Sequence, residues 1–199
     1  VLGAGSWGTA LAVQLARSGQ PVTLWGRNAG DLQDLVRHRT NRRYLPGITL
    51  PESVQPDADL QSVVRTHREL LVCVPSHAFR STLAAIRPDL AAGVRVAWAT
   101  KGFEQNTGRL PHEVAAEELG SNVPVAVLSG PTFAREVGAG LPTAMTVAAS
   151  DPAFAAALAA RLSDRMFRAY TSDDMLGVEV GGAVKNVLAI GAGISDGLG

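Results

Sequence analysis

Cysteine is almost missing from this chain. Cys73 is the only one in 199 residues, which excludes an internal disulfide and fits a reducing compartment. Its setting, Leu70-Leu-Val-Cys-Val74, reads as a buried strand rather than a reactive thiol. Net charge is missing too. Eighteen basic and eighteen acidic residues cancel, so no basic field argues for nucleic acid or an anionic membrane as a partner. No signal segment and no apolar run of about 18 residues stand out, and the chain reads as soluble, cytoplasmic and without membrane insertion. Metal-ligand spacing is lacking, since His38, His67, His77 and His112 are scattered. No G-x-S-x-G follows a strand, which argues against a serine hydrolase.

What is present is an ordinary globular balance, 46% hydrophobic and 18% charged, enough to bury a sizeable core. The length suits one full domain and the start of another. The chain opens at Val1 inside strand-like residues, which points to a trimmed start. Apolar runs at 22–25, 70–74, 94–99, 125–129, 144–148 and 167–170 predict short strands. Helical spacing over 7–18, 31–39, 77–86, 110–119, 133–137 and 153–162 falls between them. The Pro-rich stretch 41–60 reads as loop, with at most a short strand. This alternation predicts an α/β fold with a doubly wound, mostly parallel sheet covered on both faces. The strand signal ends near Ser172, which sets a boundary between residues 1–172 and a helical segment, 173–199.

Gly3-Ala-Gly-Ser-Trp-Gly8 carries the first chemistry. It fits G-x-G-x-x-G between a strand and a helix, the setting of a Rossmann-type dinucleotide turn. Gly3 permits the tight turn, Gly5 lets backbone approach a pyrophosphate, and Gly8 lets helix and sheet pack closely, with the helix N-terminus facing the anion. An NAD-preferring site usually places an acid about 20 residues further on. Here Leu24-Trp-Gly-Arg-Asn28 offers Arg27 instead, which suits a 2′-phosphate and favours NADP(H), with NAD(H) still open.

Three more turns follow strands. Val74-Pro-Ser-His77 places His77 in a first helical turn near the cofactor, with a catalytic acid or base as the lesser alternative. Ala99-Thr-Lys-Gly102 leaves Lys101 either a surface charge or an electrophile aimed at a bound anion or carbonyl, with function favoured by its place on the sheet edge, and Ser129-Gly-Pro-Thr132 places Thr132 to cap a helix or donate to a ligand. Arg135 and Glu136 read as a solvated helix face. Near the C-terminus, Lys185 and Asn186 sit in a helix-forming run of apolar and small residues. An amine with so few charged neighbours can be held partly dry, which lowers its pKa and suits proton exchange.

Taken in order, Gly3-Ala-Gly-Ser-Trp-Gly-Thr-Ala10, Leu24-Trp-Gly-Arg27, Tyr44-Leu-Pro-Gly47, Val74-Pro-Ser-His77, Ala99-Thr-Lys-Gly102, Ser129-Gly-Pro-Thr-Phe-Ala134 and the run 177–199 closely resemble the bacterial-type NAD(P)-dependent glycerol-3-phosphate dehydrogenases. The resemblance implies interconversion of sn-glycerol 3-phosphate and dihydroxyacetone phosphate, feeding phospholipid synthesis. It implies Lys185 as proton acceptor or donor at the C2 oxygen, and Lys101 in contact with substrate and cofactor. Gly130, Thr132 and Asn186 would lie near the substrate, and Ser6, Trp7, Arg27 and Ala134 along the cofactor. Members of the family continue into a helical C-terminal domain that supplies further substrate contacts. The chain is therefore expected to be C-terminally truncated, with an incomplete substrate site and weak activity, and a homodimer is left open. Two other readings remain at this stage: a hydroxy-acid or ketopantoate-type reductase, and a nucleotide-sensing module without catalysis.

Overall fold

The computed structural model describes all 199 residues except the side chain of Asn186. Nine strands form: β1 (Val22–Trp25), β2 (Thr40–Asn41), β3 (Leu45–Thr49), β4 (Val54–Asp57), β5 (Glu69–Val72), β6 (Arg95–Trp98), β7 (Val125–Ser129), β8 (Thr143–Ala149) and β9 (Phe167–Ser172). Leu2 sits at the centre, bridging Trp25 on one side and Val72 on the other, both in parallel. The main sheet therefore runs β4-β1-Leu2-β5-β6-β7-β8-β9. Only β7 and β8 pair antiparallel within it. The expected Rossmann-type, mostly parallel sheet is what forms.

The helices are α1 (Ser6–Arg17), α2 (Ala29–His38), α3 (Leu60–Thr66), α4 (Ser76–Ile86), α5 (Pro111–Leu119), α6 (Ala134–Ala139), α7 (Pro152–Leu162) and α8 (Met175–Leu198). Residues of α1, α6 and α7 bury Leu11, Val137, Phe154 and Leu158 against one face of the sheet. Residues of α3, α4 and α5 bury Val64, Phe79, Leu83 and Val114 on the other, around Trp98. Phe79 meets Trp98 edge-on with centroids 5.6 Å apart, a geometry worth about 0.5–1.5 kcal/mol beyond the area buried. Side chains start several helices where the sequence supplies an acceptor: Asn28 caps α2, Asp59 caps α3, Asp151 caps α7 and Asp174 caps α8.

Two expectations need correcting. The stretch 41–60 is not loop: it holds β3, β4 and the second residue of β2, and α3 follows directly. Pro46 and Gly47 obscure β3, and Pro56 obscures β4. Proline is tolerated there because β4 is an edge strand, paired only with β1. The second correction concerns α8. Its 24 residues include an 18-residue window of mean hydropathy 1.3, long and apolar enough by length and composition to cross a membrane. Glycines at 177, 181, 182, 191, 193 and 197 break up the apolar letters, which is why no continuous run stood out.

Candidate functional site

The first glycine turn is shaped by contacts that only glycine allows. Gly3 has φ +121°, and a Cβ there would lie 2.7 Å from the Cys73 carbonyl oxygen. A Cβ on Gly8 would lie 1.9 Å from the Gly3 carbonyl oxygen. Gly5 is different: nothing lies within 4 Å of its missing side chain. It is the N-cap of α1 and offers that helix no side-chain acceptor, so the helix N-terminus is left free to meet an anion. The turn fits a pyrophosphate by shape and by dipole. Beneath it, burial pushes the Cys73 thiol up to about 12, which keeps the thiol protonated and inert.

A groove of about 730 Å³ runs from this turn across the end of β1, lined by Gly3, Gly5, Arg27, Tyr44, Val74 and His77. A recess of about 340 Å³ shares Gly5 and Val74 and adds Ser6, Trp7, Thr100 and Lys101. Arg27 and His77 line the groove, and Ser6 and Trp7 the recess. Ala134 does not line either space: it opens α6 and packs on the core. The side chain of Asn186 lies outside the described residues.

Sequence reasoning overlooked Arg43, which lines this groove beside Tyr44, and Asn41, which braces the glycine turn behind it. Asn41 is buried, and its amide donates to the Ala4 carbonyl at 2.9 Å and to Thr9 Oγ1 at 2.8 Å, while its Oδ1 accepts from the Tyr44 N–H. It therefore fastens the glycine turn to the β2–β3 hairpin and sets the start of Tyr44. Arg43 pairs with Asp31 at 3.1 Å and lies 5.0 Å from the Tyr44 ring centroid. Asn41→Ala leaves a buried carbonyl and hydroxyl unmatched. It is expected to cost about 1–3 kcal/mol in a urea melt and to weaken NADPH binding in a fluorescence titration.

The second centre is built from two lysines. Lys101 follows β6 and Lys185 projects from α8, and their Nζ atoms donate to one acceptor, the Gly130 carbonyl, at 3.1 and 3.2 Å. Gly130 follows β7, and a Cβ there would lie 2.8 Å from the Ala144 carbonyl oxygen, so the turn keeps its path only with glycine. Gly182 brings α8 close to the end of β7: a Cβ there would lie 2.6 Å from Ser129 Oγ, which would have to turn away. The two amines lie on aromatic rings, Lys101 5.7 Å from the Trp7 centroid and Lys185 5.7 Å from that of Phe133. Burial, then the charge of Lys185, lowers the pKa of Lys101.

Two buried polar atoms among the described residues lack a partner: Trp7 Nε1 and Thr132 Oγ1. Trp7 lines the recess and Thr132 lies two residues beyond Gly130, each with a polar group still unmatched. The loop after Lys101 is tied down by Arg80, which meets Glu104 at 2.7 Å, Glu117 at 2.8 Å and Glu118 at 2.8 Å. The Arg80 guanidinium and the Thr107 hydroxyl hold the Glu104 carboxyl at about 2.

A dinucleotide groove thus opens beside a pair of converging lysines. The family model described as the N-terminus of NAD-dependent glycerol-3-phosphate dehydrogenase matches residues 1–155. The chain belongs to this family. The model of the C-terminus of the same glycerol-3-phosphate dehydrogenases matches residues 174–199. A curated glycerol-3-phosphate dehydrogenase [NAD(P)+] of Pseudoalteromonas translucida is 57% identical over 100% of this chain and 60% of its own length. Its counterpart in Xanthomonas euvesicatoria is 56% identical over 100% of this chain and 58% of its own. The crystal structure of glycerol-3-phosphate dehydrogenase from Coxiella burnetii superposes with a TM-score of 0.92 at 47% identity, covering 99% of this chain and 60% of that one. The chain spans about three fifths of the length of these relatives.

Proposed function

We propose that the protein interconverts dihydroxyacetone phosphate and sn-glycerol 3-phosphate with NADP(H), supplying phospholipid synthesis. The convergence of Lys101 and Lys185 on the Gly130 carbonyl beside the glycine turn carries this reading. The cofactor, when bound, supplies the hydride. Gly3, Gly5 and Gly8 cradle its pyrophosphate, Ser6 and Trp7 line its path, and Arg27 pairs the 2′-phosphate. Lys185 gives a proton to the C2 oxygen during reduction and takes it back during oxidation. An ammonium placed there also stabilises the negative charge that builds on that oxygen. Lys101 and Thr132 donate to the substrate alongside it, and Asn186 adjoins the catalytic lysine.

The proposed division is a nucleotide domain, 1–172, and the first helix of a helical substrate domain, 173–199. Support comes from the end of β9 at Ser172 and the start of α8 at Met175. It also comes from the separate match of 174–199 to the family's C-terminal part. In this reading the exposed apolar side chains of α8, among them Val187, Leu188 and Ile190, pack on the rest of that domain rather than on lipid. The setting is cytoplasmic. Whether two copies associate is a question for sedimentation.

Loss of NADPH absorbance with dihydroxyacetone phosphate, measured on protein carrying the rest of the family's C-terminal part, tests the assignment. Turnover with a different ketone and none with this one would overturn it. Arg27→Ala is expected to reduce the preference for NADPH over NADH roughly tenfold or more, as loss of a charge-assisted hydrogen bond does. Equal affinities for both cofactors in the unmutated protein would remove the role of Arg27.

A further inference from the structure

Glu179 is the one acid on the face of α8 that enters the protein, and the chemistry above makes no use of it. Met175, Val178, Glu179 and Gly182 follow the i, i+3, i+4, i+7 spacing of a single helix face. Met175 and Val178 pack on the core around Trp98, and Gly182 is buried against Ser129. In their midst the Glu179 side chain is only 1% exposed. Taking a carboxylate out of water is costly unless its oxygens are met by donors. Here they are met. One oxygen accepts from Trp98 Nε1 at 2.9 Å and from the His112 backbone N–H at 3.1 Å, and the other lies 2.5 Å from His112 Nδ1.

The partners matter more than their number. Trp98 ends β6, three residues before Lys101. His112 lies in the first turn of α5, whose N-cap, Leu110, has no side-chain acceptor for the free N–H groups. Glu179 therefore also supplies an anion to that helix N-terminus. Lys185 stands six residues further along α8, about 9 Å by helical rise. A single carboxylate thus fastens the segment bearing Lys185 to the segment bearing Lys101. Apolar contacts at Met175 and Val178 allow a helix to slide or roll, whereas a carboxylate with three directed partners fixes its register.

We propose that Glu179 is a positioning residue that sets the placement of Lys185 beside Lys101 over the Gly130 carbonyl. Its consequence for ketone reduction rests on the function proposed above; its consequence for the lysines does not. Charge on neighbouring groups is consistent with this role. Burial raises the Glu179 pKa, and the bonds from His112 and Trp98 oppose the rise.

The test uses the full-length protein and two readouts. Acylation rates at Lys101 and Lys185, read by mass spectrometry under limiting acetic anhydride, report lysine placement without turnover. Glu179→Ala is expected to raise both rates roughly fivefold or more by letting α8 open. Glu179→Gln, which keeps an acceptor for Trp98, is expected to restore most of the protection. In the NADPH assay, Glu179→Ala is expected to lower kcat about 10²-fold with KM for NADPH little changed, because the lining of the groove and of the recess includes no residue of α5 or α8.

Unchanged acylation in Glu179→Ala would overturn the proposal. So would equal acylation in Met175→Ala at the same loss of Tm, since that marks general loosening. If Glu179→Ala does not fold, Trp98→Phe removes one donor alone and must expose the lysines in the same direction. Wild-type protein inactive on dihydroxyacetone phosphate, with the acylation pattern intact, would count against the substrate assignment and leave the positioning role standing.

Discussion

Lys185→Ala is expected to lower kcat for dihydroxyacetone phosphate by about 10²–10⁴, the range over which a positioned proton donor acts, while the Kd for NADPH stays within error. The separation follows from the architecture. The groove is lined from the first glycine turn, the end of β1, α2 and the start of α4, whereas Lys185 reaches in from α8, donating to the Gly130 carbonyl beside Lys101 and lying near the Phe133 ring. On the proposed mechanism, removing the side chain deletes a donor to the reacting oxygen and leaves the groove intact. Stopped-flow absorbance with NADPH and ligand fluorescence on the same preparation check both halves. A parallel loss of NADPH affinity would mean that Lys185 holds the cofactor instead. Unchanged turnover would remove it from the chemistry and favour the sensing module.

Gly8→Ala is expected to act on the opposite half of the site. Its added methyl would have to occupy space 1.9 Å from the Gly3 carbonyl oxygen and 3.0 Å from Cys73 Cβ. Neither neighbour is the far end of a flexible side chain. The Gly3 turn has φ +121° and is held by hydrogen bonds to β1 and β5 through Gly3 N and Leu2 N. Helix α1 must therefore back away from the turn that its N-terminus serves. Overpacking of this kind costs about 1–3 kcal/mol. The same displacement carries the helix N-terminus off the pyrophosphate, so NADPH affinity should fall roughly 5- to 150-fold. Isothermal titration with NADPH measures it, and a Kd within twofold of the parent would show that the turn adapts.

Strands such as β1 and β7 were legible to the residue because glycine or proline brackets a buried apolar run in each case. The glycine turn and both lysines were legible for a related reason: glycines with steric duties and lysines among apolar letters are local signals. The edge of the sheet was not. In β4 only Val54 is buried, so the strand carries almost no periodic pattern, and Pro56 argues against it by composition. Its existence depends on pairing with β1, which is a fact about the assembled sheet. Asn41 and Glu179 were missed for the same reason. Each works through partners 32 to 81 residues away, and nothing in their immediate sequence announces those partners. A lone acid on the apolar face of a helix was the available hint at Glu179.

The shared acceptor at Gly130 has a further consequence. Two four-carbon side chains with ammonium tips normally sample many rotamers, and immobilising them on ligand arrival would cost entropy. Here that ordering is completed during folding, with the Gly130 oxygen standing in for the ligand oxygen. In the proposed function, substrate recognition then becomes an exchange of acceptors between amines already aimed, which is preorganisation in the strict thermodynamic sense.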